Sequence, residues 1–254
     1  MQLILLGVGS SAGTPVIGCN CATCTSSDPK NKRTRCSSAI LMPDGHVLLI
    51  DTGPDLRNQS LRESLTRIDA VLYTHTHADH VHGIDDLRSF CQLQRQQIPL
   101  YGNQESMTHI ASKFTYAIRN PGDYWDLPVL STNPIESELE LFGETIIPIP
   151  VKHGRSDIYG YRIRNLAYIT DVSEIPESSL ALLEGLDILL LDCLRYQPHF
   201  THVNLEQSLG YANRIGAKNT YLIHMTHEME FNDLTQRLPP SVHVAYDGLK
   251  LNFY

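Results

Sequence analysis

Short apolar runs recur along the chain, each bounded by Gly, Pro or Asp: "LILLG" at 3–7, "SAILM" at 38–42, "HVLLID" at 46–51, "DAVLYT" at 69–74, "TIIPIP" at 145–150, "YGYRI" at 159–163, "AYIT" at 167–170, "DILLLD" at 187–192 and "TYLIH" at 220–224. Their length and their β-branched and aromatic content predict strands, and helical spacing between several of them favours an α/β fold with mixed sheets. In "HVNLEQSLGYANRIGA", Asn204 and Gln207 have capping-box spacing, Leu205, Leu209 and Ile215 supply an apolar stripe, and Gly216 supplies a stop. A second helical pattern, Ile84, Leu87 and Cys91, follows residue 80. The stretch 115–138, with "NPGDYW", Pro128 and Pro134, reads as a loop-rich cover. No internal repeat or low-complexity tract occurs, and 254 residues are expected to form one domain.

Composition adds limits. The chain is 42% hydrophobic and 19% charged, which suits a globular protein and sets disorder aside. No apolar run reaches the roughly 18–20 residues that span a bilayer, so no membrane association is expected. "MQLILLGVGSSAG" lacks a basic n-region and reads as a first strand and turn, which makes a cytoplasmic location the default. A net charge of −8 argues against holding extended nucleic acid on a broad basic surface. Lys30, Lys32, Arg33 and Arg35 form the one marked basic run, read as a solvated loop from which an arginine could reach a phosphate.

Two groups of residues carry candidate chemistry. In "GCNCATC", Cys19, Cys21 and Cys24 have spacing that points to metal ligation in a reducing compartment, whereas Cys36, Cys91 and Cys193 read as small buried residues. In "THTHADHVHG", His75 and His77 lie two apart at the end of a strand and face one way while the chain stays extended; Asp79 and His80 follow where it turns into a helix. One loop can thus serve two metals. Further ligands fall at strand ends: His153, Asp171 and His224. The expected centre places His75, His77 and His153 on one ion, Asp79, His80 and His224 on the other, and Asp171 between them. His82 and likewise His46, His109, His199 and His243 read as surface residues.

With these residues the chain resembles the metallo-β-lactamase-fold hydrolases. Their H-x-H-x-D-H motif is matched by His75, His77, Asp79 and His80, their later ligands by His153, Asp171 and His224, and a carboxylate that orients a ligand histidine by Asp51. The resemblance implies an αββα sandwich of two mixed sheets flanked by helices, and hydrolysis by a metal-bridging hydroxide, with Asp79 and Asp171 among the catalytic groups. All donors are N or O, so Mn²⁺ and Zn²⁺, and also Fe, suit them. His202 in "THVNLEQS" matches a histidine that, in phosphodiesterase branches, contacts phosphate or protonates the leaving group. The cysteines, the basic run and the H-x-x-H at 224–227 look like the phosphodiesterases of the carbon–phosphorus lyase pathway, which act on cyclic ribose phosphates. By that likeness Cys19, Cys21, Cys24 and His227 hold one structural zinc. Three thiolates and an imidazole would close a tetrahedral shell, with a redox cluster or an iron–sulfur site as the other readings.

The expected function is hydrolysis of a small phosphodiester, with a homodimer left open because relatives are commonly dimeric. Three alternatives remain: a transfer-RNA 3′-end nuclease, whose protruding arm between the motifs matching His153 and Asp171 has no room here; a relative of the pyrroloquinoline quinone biosynthesis protein; and a non-catalytic, metal-stabilised binding module.

Overall fold

The computed structural model describes residues 1–118 and 129–254. Among these residues the first sheet takes β1 (Gln2–Gly7), β2 (Ser37–Leu41), β3 (Val47–Ile50), β4 (Ala70–Leu72), β5 (Ile98–Gly102) and β6 (Leu130–Pro134). The second takes β7 (Leu139–Leu141), β8 (Glu144–His153), β9 (Ser156–Ile163), β10 (Leu166–Ile169), β11 (Ile188–Asp192), β12 (Asn219–Ile223) and β13 (Val242–Val244), and β14 (Lys250–Asn252) returns to the first. Strand order is β14-β1-β2-β3-β4-β5-β6 in one sheet and β13-β12-β11-β10-β9-β8-β7 in the other. Each sheet is antiparallel on one side and parallel on the other, the change falling at β3 in the first and at β10 in the second.

The alternation within each strand makes the layers. Along β1, Leu3 and Leu5 join the core shared by the two sheets, while Ile4 and Leu6 face the opposite way, into a second core. That outer core is closed by Leu56, Leu87, Phe90, Met107 and Ile110 from three helices, Leu56–Arg62, Leu87–Gln94 and Gln104–Lys113. The second sheet is covered by the helix Leu205–Ile215, whose Ala212 and Leu209 pack on its core. The result is the expected αββα sandwich. No helix among the described residues is long and apolar enough to cross a membrane.

All nine expected strands are present. The helix after Asn204 begins with both capping-box hydrogen bonds and ends at Gly216 with φ +68°. Ile84, Leu87 and Cys91 are buried under a short 3₁₀ turn and the helix Leu87–Gln94. The sequence pattern did not reveal β5, β6, β7, β13 or β14: β6, β7, β13 and β14 are sheet edges of three to five residues, too short for a period to show, and β5 carries Pro99 and Gly102, which depress a strand reading. The expected loop-rich cover is therefore corrected in part: Leu130–Pro134 is a strand paired in parallel with β5, its proline at the end of an edge where no further ladder bond is required. "NPGDYW" and Pro128 lie outside the described residues.

The basic run is also corrected, because it is not a solvated loop. Arg33 is 1% exposed and donates to the carbonyls of Thr226 (3.0 Å) and Met229 (2.6 Å), tying the amino-terminal loop to the segment after β12. Burial pulls its guanidinium down to about 10. Lys32 donates to the carbonyl of Cys24 (3.2 Å), Lys30 lies over the Phe231 ring, and Arg35 pairs with Asp55 (2.9 Å). Arg33→Ala is expected to lose roughly 2–4 kcal/mol, because two buried carbonyls lose their donor. Urea unfolding checks this against Arg67→Ala, at an exposed pair with Asp69, which should leave the midpoint almost unchanged.

Candidate metal centre

The motif His75–His80 leaves the end of β4, which lies beside β3. His77 is extended (φ −63°, ψ 153°) and caps the short helix Ala78–Val81, so the turn into helix comes where the sequence predicted it. The loop after β3 holds this helix against the sheet: Thr52 N–H donates to the His80 carbonyl (2.7 Å) and Gly83 N–H donates to the Thr52 carbonyl (2.8 Å). The approach is close enough that a Cβ on Gly83 would lie 2.0 Å from the Gly53 carbonyl oxygen.

Two donor groups meet at this end of the sandwich. His75, His77 and His153 form one, and Asp79, His80, Asp171 and His224 form the other, with the donor atoms of each group all within 4.8 Å of one another. Asp171 spans them: its Oδ1 lies 3.2 Å from His224 Nε2 and 3.9 Å from His75 Nε2, and its Oδ2 lies 3.3 Å from His80 Nε2. His80 and His224 Nε2 also lie 3.4 and 3.6 Å from Asp79 Oδ2. All seven sequence-predicted ligands are therefore brought together.

The donors fit a cation. Nε2 of His75, His80 and His224 is buried and makes no hydrogen bond, although each lies near a carboxylate, which is the arrangement of atoms that share a third partner. The rings of His75, His80 and His153 are each turned by a bond at Nδ1, whereas His224 Nδ1 lies only near Asp192 Oδ1, 3.6 Å away. His80 Nδ1 donates to Asp51 Oδ2 (2.7 Å), and His153 Nδ1 donates to the Thr201 carbonyl (2.9 Å). His75 Nδ1 donates to Thr74 Oγ1 (3.0 Å), which donates to Asp51 Oδ2 (2.8 Å). Buried Asp51 thus orients His80 directly and His75 through Thr74, one in each donor group. Burial pushes the Asp51 carboxyl up and brings His153 down to about 4, which leaves the latter a neutral imidazole able to ligate at neutral pH.

Three of these side chains share a backbone device. Asp51, Asp171 and His224 stand just beyond the ends of β3, β10 and β12 with φ of 58°, 55° and 59°. The left-handed conformation costs a non-glycine residue roughly 1–2 kcal/mol, and here it turns each side chain away from the strand and toward the common centre. Nothing in the local sequence marks it.

His202 joins the centre, its Nε2 3.9 Å from Asp171 Oδ1 and its Nδ1 donating to Asp192 Oδ2 (2.9 Å). Asp192 is a functional candidate that the motif search missed. It is fully buried at the end of β11, accepts the Val172 N–H (3.0 Å), and lies 3.6 Å from His224 Nδ1. Its signal was "DILLLD", a carboxylate closing an otherwise apolar strand. His82, His46, His109 and His243 stand outside both donor groups. His199 does not read as a plain surface residue, because its Nδ1 accepts from Thr201 Oγ1 (3.0 Å) beside His202.

The cysteine cluster closes on its own partner. His227 Nδ1 lies 3.3, 3.4 and 3.5 Å from the sulfurs of Cys19, Cys21 and Cys24. The Cys24 backbone N–H, followed by His227, holds the Cys21 thiol down to about 6. Cys36, Cys91 and Cys193 are buried, as expected, and belong to neither donor group.

Comparison with known proteins agrees with this architecture. The family model described as a β-lactamase superfamily domain matches residues 46–225. The crystal structure of a diphosphatase from the PhnP family is 42% identical, superposes with a TM-score of 0.93, and covers 100% of this chain and 98% of its own. An octanoyltransferase of Porphyromonas gingivalis is 36% identical over 98% of this chain, which spans 51% of that longer protein. Coenzyme PQQ synthesis protein B of Methylobacterium radiotolerans is 28% identical over 76% of this chain and 72% of its own. The chain thus belongs to the β-lactamase superfamily and, within it, to the PhnP family that the diphosphatase represents.

The close approach beneath the motif makes a specific expectation. Gly83→Ala forces the 78–83 segment off the Gly53 loop and should lower stability by about 2 kcal/mol. Gly210→Ala, in open space on the helix Leu205–Ile215, should raise it by roughly 0.5–1 kcal/mol. Thermal unfolding of the two variants checks both signs.

Proposed function

We propose that the protein is a dinuclear metal-dependent phosphodiesterase acting on small phosphodiesters, with cyclic ribose phosphates the leading class. His75, His77 and His153 would hold one divalent ion, Asp79, His80 and His224 the other, and Asp171 would bridge. Mn²⁺ and Zn²⁺, and also Fe, suit these donors, and such ions supply Lewis-acid charge and a water of lowered pKa. The observation that carries the reading is His202: its Nε2 faces the bridging carboxylate while Asp192 locks its Nδ1. A buried carboxylate in that position fixes the tautomer and aims Nε2 at the centre, so His202 is placed to deliver a proton to a leaving oxygen. An alkoxide leaving group requires that proton.

Two features support a small substrate. Residues 154–170, between His153 and Asp171, are taken up by a hairpin turn, β9 and β10, which leaves no length for a protruding arm that would grip transfer RNA. The net charge of −8 also disfavours an extended nucleic acid. The relationship to a diphosphatase favours a second reading, in which the bond cut joins two phosphates. There the leaving group is a phosphate, which departs without help, and His202 matters less.

Asp79→Ala is expected to abolish turnover. His202→Ala should lower kcat by about 10²–10⁴-fold for a nucleoside 2′,3′-cyclic phosphate, and by much less for a diphosphate or an aryl ester. Steady-state kinetics of the Mn²⁺- or Zn²⁺-loaded protein on these three classes separates the readings. If bis(p-nitrophenyl) phosphate and the cyclic phosphates are all left intact, the phosphodiesterase reading is lost.

We further infer that Cys19, Cys21, Cys24 and His227 hold one structural zinc ion, because four donors fill a tetrahedral shell and leave no position for water. Cys21→Ser or His227→Ala should remove one zinc per chain and lower the unfolding temperature, with activity falling only as the fold loosens. Elemental analysis alongside melting decides it; unchanged zinc content and unchanged melting would refute the assignment.

A further inference from the structure

Beside the metal centre is a cavity of about 600 Å³ lined by His77, His153, Gly154, Arg155, Ser156, Phe200 and Thr201. Two of its walls are held in fixed relation to the ligands. Gly154 and Arg155 form the two-residue turn that joins β8 to β9, in which His153 pairs with Ser156, and Gly154 takes φ +60°. Such a turn gives its second residue little freedom, so Arg155 is displayed at a set place two residues from a ligand. The turn is pinned by Gly154 N–H donating to Ser173 Oγ (2.9 Å), and the opposite wall is tied to it, with His153 Nδ1 donating to the Thr201 carbonyl and a Cβ on Gly154 meeting Thr201 Cγ2 at 2.8 Å.

Each wall presents one unused group. Phe200 is 83% exposed at the cavity mouth, its ring stacked on His199 with centroids 4.9 Å apart. Arg155 is exposed and has no hydrogen bond or ion pair among the described residues, whereas the neighbouring cation Lys152 is paired with Asp157 (2.5 Å). A free guanidinium presents a planar fork that matches phosphate, and an exposed aromatic face stacks a nucleobase.

We infer that this cavity is the subsite for the part of the substrate beyond the phosphorus that is attacked, and that it takes a nucleoside with two linked phosphates. One phosphate lies at the metal centre, the second pairs with Arg155, and the base stacks on Phe200. The inference rests on the phosphoryl-hydrolase reading above and names its substrate class. It extends the second of the two readings given there, since such a substrate contains the bond that a diphosphatase cuts.

Calorimetric titration of the metal-loaded protein with three uncleavable or single-phosphate probes tests it: α,β-methylene-ADP, AMP and methylenediphosphonate. The first should bind about 10-fold more tightly than either of the others. Arg155→Ala should erase its advantage over AMP, and Phe200→Ala its advantage over methylenediphosphonate. Equal binding of all three probes, or variants that keep both preferences, would overturn the assignment, as would tighter binding of a short RNA oligonucleotide than of the mononucleotide. Parallel turnover of bis(p-nitrophenyl) phosphate reports separately on the phosphodiesterase reading. Turnover without probe discrimination removes the subsite alone, whereas discrimination without turnover removes the activity and leaves the subsite standing.

Discussion

The structure is organised around a concentration of buried carboxylates that the apolar sandwich cannot neutralise by itself. Asp51, Asp171 and Asp192 are at most 2% exposed, and Asp79 is 9% exposed, all at one end of the two sheets. Unpaired ions are costly in such a place. The histidines around them answer part of that charge, and their unbonded Nε2 atoms converge where a cation would answer the rest. His80, followed by Asp51 and Thr74, shows how far the arrangement is fixed before any substrate arrives: rotation of one ring would break a chain of bonds that also orients His75.

The two sheets must be held in register for this end to exist. The inter-sheet core does so by volume, and the amino-terminal loop does so by direct bonds. Met225 N–H donates to the Val8 carbonyl, Ser10 N–H donates to the Met225 carbonyl, and Arg33 donates to Thr226 and Met229. The same short segment places His224 in the centre and His227 among the cysteines. The cysteine group and the His/Asp centre are thus separate donor sets carried by one backbone segment.

Around a shared centre, the groups that distinguish one hydrolase from another lie in the turns. His202 comes from the loop between β11 and the helix Leu205–Ile215, Arg155 from the β8–β9 turn, and Phe200 from the loop before His202. Arg155 and Phe200 are exposed on these segments, while the bond between His153 and Thr201 keeps the two turns in place relative to each other. The sandwich fixes where the converging donors stand, and the turns fix which further side chains face them.

By itself the sequence determined the central strands, the capped helix after Asn204, and the seven side chains that converge at the centre. Those depend on period-two burial, on capping chemistry, and on donor types set at strand ends, which are local and therefore written locally. The edge strands β6, β7, β13 and β14 and their neighbour β5 were decided only by pairing, because runs of three to five residues, in β5 interrupted by Pro99, are too short for a period to declare itself. Tertiary structure alone also decided that Arg33 is a buried tie, that Asp192 supports His202, and that Asp51, Asp171 and His224 adopt left-handed backbones. Each of these depends on an atom contributed from a distant part of the chain, and no window of sequence contains both partners.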